Sequence, residues 1–314
     1  MSALNAPHFQ DDNKAREYLE AIRWPNGPVC PHCGSPAAYA LKGKAHRPGL
    51  WKCADCRNQY SVTVGTVFES SKIGLAKWLQ AVYLMCSSKK GISSHQIHRT
   101  LGVTYKTAWF MTHRIREAMR DGDLAPFGNG GGAVEVDETF IGNDRTVKPK
   151  GTKKGRGYHH KHKVLALVDR DTGKARSMVV DDLKAATLAP IVRENIAKEA
   201  RLMTDENFAY TKVGREFAEH GVVHHGKNEY VRGDVHTNTI EGYFSIFKRG
   251  MKGVYQHCAK HHLHRYLAEF DFRYNNRTAL DINDKQRTIN ALAGAEGKRL
   301  YYKRPYEQFQ GHTL

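Results

Sequence analysis

The spacing of apolar residues changes along this chain from a helical period in its first part to alternating strand and helix signals in its second. Residues 11–22 predict a short amphipathic helix that ends near Trp24. The apolar positions from Leu75 to Met85 recur at the i, i+3 and i+4 spacing of another helix. The first part is therefore predicted to be mainly helical.

Two further short helices are predicted on either side of Gly102, with Ser93 and Thr104 as their N-caps. The second of them is expected to span roughly residues 105–119. The pair has the helix-turn-helix pattern, and an ordinary helical hairpin is the alternative. If the pattern binds DNA, the residues expected to contact it are Lys106, Thr107, Arg114 and Arg116.

The second part follows a Gly-rich stretch at residues 126–132 and alternates strand and helix signals. The predicted strands are 134–141, 164–168, 175–180, 201–204 and 222–224, and the predicted helices are 188–200, 210–220 and 238–249. Three strands, helix, strand, helix, strand and helix is the order of the ribonuclease-H-like fold. Residues 281–314 show little regular periodicity, and their role stays open.

The net charge of the chain indicates what kind of partner it binds. The 314 residues carry 49 Lys and Arg against 32 Asp and Glu, a formal charge of +17, with 40% apolar residues. A folding chain with this excess favours a polyanion, through counterion release and electrostatic steering. The polar N-terminus resembles no signal peptide, and no apolar run is long enough to span a membrane. We therefore expect a cytoplasmic protein with no membrane partner.

Four of the six cysteines predict a zinc site. Cys30 and Cys33 form one Cys-x2-Cys knuckle and Cys53 and Cys56 form another, with 19 residues between them. Two such knuckles close a tetrahedral four-thiolate site that has no open position, so we assign this zinc to folding and not to catalysis. Four unrelated thiols are the alternative. The other two cysteines, Cys86 and Cys258, are expected to be small buried residues.

Acidic residues in the second part suggest a second kind of metal site. In the strand 134–141, Val134 and Val136 should face one side, and Glu135, Asp137 and Thr139 the other. Asp205 directly follows a predicted strand. Glu241 lies seven residues before Lys248, so a helix would project both from one face. Three carboxylates and a lysine can hold two hard divalent cations beside a phosphate.

Residues 145–163 contain eight Lys or Arg and no acidic residue. This composition predicts a mobile basic loop that contacts a nucleic-acid backbone, and a merely solvated loop is the alternative. The basic residues proposed for DNA here and on the last predicted helix are Lys153, Lys154, Arg156, Lys248 and Arg249.

The motifs around these acids resemble the IS1595 family, DDE transposases of insertion sequences that carry the ISXO2-like transposase domain. The residues that carry the resemblance are Val134–Gly142, Asp205, His236–Gly250 and Tyr266–Arg277. It covers nearly the whole chain, since a four-cysteine ribbon and a helical DNA-binding segment usually precede that domain.

The resemblance implies that Asp137, Asp205 and Glu241 bind two Mg2+ or Mn2+ ions and that Lys248 contacts substrate phosphate. Some members have Asn in place of the third acid, so Asn238, one helical turn before Glu241, is a possible supporting residue. Glu135 and Glu206 are lesser rivals for the ligand positions. The implied reaction is cleavage and strand transfer at transposon inverted-repeat ends on double-stranded DNA. A homo-oligomer acting at the bacterial nucleoid is also implied.

Together these expectations describe a multidomain α+β protein with a zinc ribbon, a helix-turn-helix segment and a ribonuclease-H-like α/β catalytic domain. The expected boundaries are 1–65, 66–125, a linker at 126–132, 133–280 for the catalytic domain, and a C-terminal extension at 281–314.

Three other interpretations stay open. The chain could be a non-catalytic DNA-binding regulator, or a ribonuclease-H-like nuclease that acts on RNA hybrids. Clustered histidines could form another metal site, although their spacing matches no closed ligand set, and solvated or phosphate-contacting histidines are favoured. These histidines are His159, His160, His162, His224, His225, His257, His261, His262 and His264.

Overall fold

A computed structural model describes residues 3–122, 125–144, 158 and 160–301. The helices of this part of the chain are α1 Asp12–Arg23, α2 Leu75–Ser87, α3 Ser94–Leu101, α4 Tyr105–Ala118, α5 Ala185–Asn195, α6 Tyr210–Val213, α7 Asn238–Gly250, α8 Lys260–Asn275 and α9 Asp284–Ala293. Its strands are β1 Ala38–Ala40, β2 Trp51–Cys53, β3 Gln59–Tyr60, β4 Ala133–Ile141, β5 His162–Asp169, β6 Ala175–Val180, β7 Arg201–Thr204, β8 Glu219–Val222, β9 Val231–Arg232 and β10 Val235–His236. No helix in the described ranges is long and apolar enough to cross a membrane.

The chain forms two compact units. The first unit comprises residues 1–88, 92–119 and 284–314, and the second comprises 89–91 and 120–283. The four-cysteine segment and the predicted helix-turn-helix segment thus share one unit, together with the C-terminal helix α9.

Side-chain caps mark the starts of α3 and α4 in the first unit. The Ser93 side chain accepts the Gln96 N–H and the Gln96 side chain accepts the Ser93 N–H, which is a capping box at the start of α3. Gly102 ends α3 in the left-handed conformation at φ 61°, which glycine adopts without steric cost. The Thr104 side chain then caps α4. The predicted caps and the short turn between the two helices are therefore confirmed.

The C-terminal segment contains a helix that the apolar spacing did not reveal. Helix α9 packs against α1, α2 and α4 within the first unit. Its buried face includes two polar residues, Arg287 and Thr288, beside Ala291 and Leu292. The Arg287 guanidinium donates to the Cys86 carbonyl at 2.9 Å. Because polar residues occupy part of the buried face, the positions of the apolar residues alone do not show the helical period.

The second unit is built on a five-stranded sheet in the order β6-β5-β4-β7-β8. Strands β4, β5 and β6 pair antiparallel, whereas β4, β7 and β8 pair parallel. Helix α5 connects β6 to β7, and helix α6 connects β7 to β8, as predicted. A small antiparallel pair, β9 and β10, precedes α7 and was not predicted.

Both faces of this sheet are covered. On one face, Val134 and Val136 join a core with Leu188 and Val192 of α5. On the other face, alternate residues of β5 pack against α7 and α8, including Phe247 of α7. The predicted alternation in β4 is thereby confirmed for the two valines, and it directs the intervening positions towards α7.

Two predicted helices have different bounds in the structure. Helix α5 ends at Asn195 and not at 200, because Phe127 pairs with Ile196 as an isolated bridge and accepts the Ala197 N–H at 2.9 Å. The helix predicted at 210–220 is wrong beyond its first turns, since residues 219–222 form β8 on the edge of β7. Tertiary pairing overrides local helix propensity here.

Candidate active site and metal centres

The four predicted cysteines converge in the first unit. The Cys30 and Cys56 sulfurs lie 3.6 Å apart, as do those of Cys33 and Cys53, and all four sulfurs lie within 4.8 Å of one another. Zinc–sulfur bonds of about 2.3 Å in a tetrahedron place sulfur atoms about 3.8 Å apart, so this cluster fits Zn2+. No fifth metal-binding side chain joins it among the described residues, as expected for a structural site.

A carboxylate cluster lies just past the paired stretch of two neighbouring parallel strands. The last paired residues of β4 and β7 are Glu135 and Met203. Two residues farther along each strand direction stand Asp137, inside β4, and Asp205, directly after β7. Because the strands run parallel in this register, both aspartates stand at the same level beyond the last pair. Oxygens of Asp137, Asp205 and Glu138 lie within 4.8 Å of one another.

Burial and mutual repulsion disfavour charge on these acids. Burial is the main cause, and the neighbouring Asp205 and Glu138 carboxylates add to it, so that together they raise the pKa of Asp137 to about 8. The pKa of Glu138 rises to about 7 for the same reasons, while the Tyr210 hydroxyl opposes the shift. Burial also raises the pKa of Asp205. A divalent cation would offset this repulsion, which is the chemistry expected of a carboxylate metal site.

Glu138 is the member of this cluster that the sequence analysis missed. It accepts a hydrogen bond from the buried Tyr210 hydroxyl, and both of its oxygens lie 3.4 Å from the Asn207 amide nitrogen. The Asn207 N–H in turn donates to Asp205 at 3.0 Å. Strand alternation argued against pairing Glu138 with Asp137, because successive residues point to opposite faces. The sequence offers no local signal for this arrangement, since Asn207 and Tyr210 lie 69 and 72 residues beyond Glu138.

Glu241 lies outside the three-carboxylate cluster formed by the described residues. Its half-exposed side chain sits in the first turn of α7, with Oε1 4.0 Å from His225 Nε2. It still acts electrostatically on both Asp137 and Lys248. Lys248 lies two turns along the same helix, where burial lowers its pKa. The structure therefore brings Asp137 and Asp205 together and leaves Glu241 and Lys248 at their margin.

The two rival acids have other partners. Glu135 is fully buried and ion-paired with Arg170 at 2.6 Å. Glu206 accepts the N–H groups of His225 at 2.8 Å and Gly226 at 3.0 Å. Asn238 is the exposed first residue of α7, and its N–H lies 3.4 Å from His236 Nδ1.

Two of the residues predicted to contact DNA are not available at the surface. Arg114 is buried, donates to the Glu69 carbonyl at 2.5 Å, and lies over the Trp78 ring. Arg116 is also buried, with the Thr112 hydroxyl 3.3 Å away. The prediction that they contact DNA is wrong, because the middle of α4 faces the core of its unit.

The other predicted DNA contacts differ in position. Lys106 is exposed at the start of α4, and Thr107 is half-buried beside it. Arg249 is exposed on α7 and donates to the Ser245 carbonyl at 3.2 Å. Lys153, Lys154 and Arg156 lie outside the described residues. The last two residues assigned to the basic loop, His162 and Lys163, belong to β5.

In the described ranges, the four cysteines and the three carboxylates are the only groups of three or more potential metal-binding side chains. His159 lies outside those ranges. The other histidines that were considered for a separate metal site form no such group.

Two family models match separate parts of the chain. Residues 130–275 match the ISXO2-like transposase domain, and residues 10–59 match the transposase zinc-ribbon domain. The chain is 30% identical over 277 residues to a protein in transposable element ISH50 of Halobacterium salinarum, covering 84% of this chain and 91% of that protein. This chain belongs to the IS1595 family of ISXO2-like transposases. The family expectation from the sequence is confirmed.

Two further similarities are weaker. A transposase-like protein of Haemophilus influenzae is 26% identical over 103 residues, which is 33% of this chain and 82% of that protein. A cryo-electron-microscopy structure of a simian T-cell lymphotropic virus intasome with PP2A regulatory subunit B56 gamma covers 76% of this chain and 78% of its own matched chain. That match has 12% identity and a TM-score of 0.31. A likeness at that score carries no argument about fold or function.

Proposed function

We propose that this protein binds transposon ends and catalyses metal-dependent DNA strand cleavage and strand transfer. The observation that carries the proposal is the convergence of Asp137 and Asp205 just past the paired stretch of two parallel strands, with oxygens close enough to share a cation. Membership of a transposase family supports DNA as the substrate. The sheet order and the element order support a ribonuclease-H-like fold for the second unit.

The donor set fits hard divalent ions. Carboxylate oxygens are the ligands that Mg2+ and Mn2+ prefer, and Asp137 and Asp205 would hold them, with Glu138 beside them and Glu241 approaching from α7. When bound, two such ions activate an attacking water or 3′-hydroxyl and stabilise the leaving oxygen of an in-line displacement.

The remaining residues of the site position groups and offset charge. Lys248 would contact the substrate phosphate as a point cation from the same face of α7 as Glu241. Tyr210 and Asn207 orient the Glu138 carboxylate through the hydrogen bonds described above. Tyr210 is fully buried, which keeps that carboxylate from turning away from the aspartates.

DNA binding is assigned to both units. Lys106 and Thr107 at the start of α4 would contact the phosphate backbone, as expected of the second helix in a helix-turn-helix. Arg249, beside Lys248, extends the positive surface on the second unit. The net charge of +17 supports such contacts along a long polyanion. The four-cysteine cluster would hold a structural Zn2+ that stabilises the first unit.

The test is a cleavage assay on DNA that carries the inverted repeats flanking the gene, with and without Mg2+. Asp137→Asn, Asp205→Asn and Glu241→Gln are expected to abolish cleavage and leave end binding measurable, because each removes a ligand charge without changing side-chain size. Glu199→Gln, an exposed acid of the same unit, is the control and should cleave normally.

Normal turnover by any one of the three variants would remove that residue from the proposed site. Wild-type protein that binds the ends but never nicks DNA in Mg2+ or Mn2+ would instead favour a non-catalytic regulator. Cleavage confined to RNA–DNA hybrids would favour a nuclease.

A further inference from the structure

The N-terminus of α7 is capped by a side chain from a distant strand. Within the described chain, the Thr237 side chain makes no capping hydrogen bond to this helix. The first amide groups of a helix lack partners inside the helix and need an acceptor from elsewhere. Glu135 of β4 supplies one, since its Oε2 accepts the Ile240 N–H at 2.8 Å. A carboxylate also interacts favourably with the positive end of the helix dipole.

Arg170 holds the same carboxylate from the other side. Its Nε donates to Glu135 Oε1 at 2.6 Å. Its two terminal nitrogens donate to the Asp234 carbonyl at 2.7 Å and to the His236 carbonyl at 2.7 Å, with His236 Nδ1 at 2.9 Å. Arg170 follows β5 and is tied to β4 by its own N–H, which donates to the Ala133 carbonyl at 3.0 Å. One guanidinium thus joins β4, the end of β5 and the segment that leads into α7.

This network lies directly beside the proposed metal ligands. Glu135 is two residues before Asp137 on the same face of β4, and Ile240 is the residue before Glu241. The hydrogen bond from Ile240 to Glu135 therefore links the backbone next to one proposed ligand with the strand that carries the other. We infer that Glu135 and Arg170 form a clamp that positions α7, and with it Glu241 and Lys248, relative to Asp137. The inference rests on the proposed function.

Stability alone is a poor explanation for this clamp. Glu135 has an exposed fraction of 0%, so its charge has lost its hydration. A buried ion pair commonly contributes no more to stability than well-packed apolar residues of the same volume would. What the pair does provide is a fixed geometry, because four donors with set directions converge on two carboxylate oxygens and two carbonyls.

The test compares Glu135→Gln with a matched control, Glu269→Gln. Glu269 is also fully buried and ion-paired, with Arg273 at 2.5 Å, and it lies on α8 and not on the strand that carries Asp137. Mn2+ binding is measured by electron paramagnetic resonance, and cleavage is measured as a function of Mn2+ concentration. Glu135→Gln should weaken Mn2+ binding and raise the Mn2+ needed for half-maximal cleavage about 10- to 100-fold, the range typical of groups that orient metal ligands.

The control should shift the unfolding temperature by a similar amount and leave both Mn2+ measurements unchanged. Arg170→Lys keeps the positive charge but loses the forked geometry, and it carries the same test if Glu135→Gln does not fold. Wild-type Mn2+ dependence in the folded variant, or an equal change in Glu269→Gln, would overturn the clamp and leave the proposed function standing. Wild-type protein without Asp137-dependent Mn2+ binding would overturn the proposed function, and the clamp with it.

Discussion

The two candidate metal clusters of this chain differ in how far the fold assembles them. All four cysteine sulfurs converge from two short local knuckles into a closed set. The carboxylates come from two strands and a helix that are distant in sequence, and Glu241 stays outside the cluster of the described residues. A closed set of ligands suits an ion that holds a fold, whereas an incompletely closed set leaves room for substrate.

The largest expected effect is that of removing zinc. Binding of zinc to four-cysteine sites is worth on the order of 10 kcal/mol and is coupled to folding. Chelation, or Cys33→Ser, should therefore unfold the ribbon and abolish DNA binding, as measured by circular dichroism and a binding assay. Cys258→Ser removes a thiol of the second unit and should change neither. If the loss of zinc is verified and the ribbon nevertheless stays folded, then the cysteine cluster does not hold the fold. The distinction between a structural and a catalytic cluster would then fail.

Local spacing explains why one cluster could be predicted completely and the other only in part. The cysteine ligands follow from two Cys-x2-Cys repeats, whose geometry is set within each knuckle. Asp137 could be predicted inside a strand and Asp205 directly after one, but their register depends on the pairing of β4 with β7. Glu138 lies on the strand face of Val134 and Val136, opposite that of Asp137, and nothing in the sequence shows that Tyr210 holds it near the aspartates.

In the first unit, the prediction from charge was wrong for a related reason. Arg114 and Arg116 are basic residues on a helix predicted to bind DNA, yet both are buried. The aromatic rings of Trp78 and Phe110 lie beside the Arg114 guanidinium, 5.5 Å from it in each case, and the Glu69 carbonyl accepts from it. A long side chain whose charge finds a carbonyl and aromatic faces can be buried, and sequence spacing does not reveal these partners.

The next largest effect is expected on the pH dependence of stability, which should reflect the carboxylate cluster. The pKa of Asp137 is raised to about 8 from a usual value of about 4, so the folded state keeps a proton that the unfolded state releases. The resulting stabilisation is complete below about pH 4 and is lost as pH rises through about 8. Zinc-loaded protein without added Mg2+ should therefore lose thermal stability between these values, and Mg2+ should restore it.

Other buried acids titrate in the same direction, Asp271 among them, with a pKa of about 7. The informative quantity is therefore the difference between wild type and Asp137→Asn, measured by calorimetry. In the variant, the unfolding temperature should fall less steeply with rising pH and should rise less when Mg2+ is added. If the unfolding temperatures of the two proteins change with pH in parallel, then Asp137 is not a source of the electrostatic repulsion in the cluster.

A smaller effect is expected from Glu138→Gln, which tests how many acids complete the open cluster. The change keeps the hydrogen bond from Tyr210 and removes one negative charge beside Asp137 and Asp205. Cleavage should fall about 10- to 100-fold, less than for Asp137→Asn, with weaker Mn2+ binding. Glu199→Gln, the exposed acid of the same unit, is again the control and should leave cleavage unchanged. Loss as complete as that of Asp137→Asn would make Glu138, and not Glu241, the third ligand.

The smallest effect is expected from a change in the first unit, which contains the four-cysteine cluster. The proposed role of this unit is to bind DNA and not to cleave it. Lys106→Ala should weaken binding to all DNA sequences alike and reduce the slope of log affinity against log salt by about 1, because one phosphate contact is lost. Lys77→Ala, an exposed lysine on α2 of the same unit, should leave that slope unchanged. Cleavage by Lys106→Ala at saturating DNA should match wild type, since the proposed role of the residue is in DNA binding and it lies outside the carboxylate cluster. A lower rate at saturation would instead show that contacts made by the zinc-bearing unit govern the chemistry of the other, and the functional separation of the two clusters would fail.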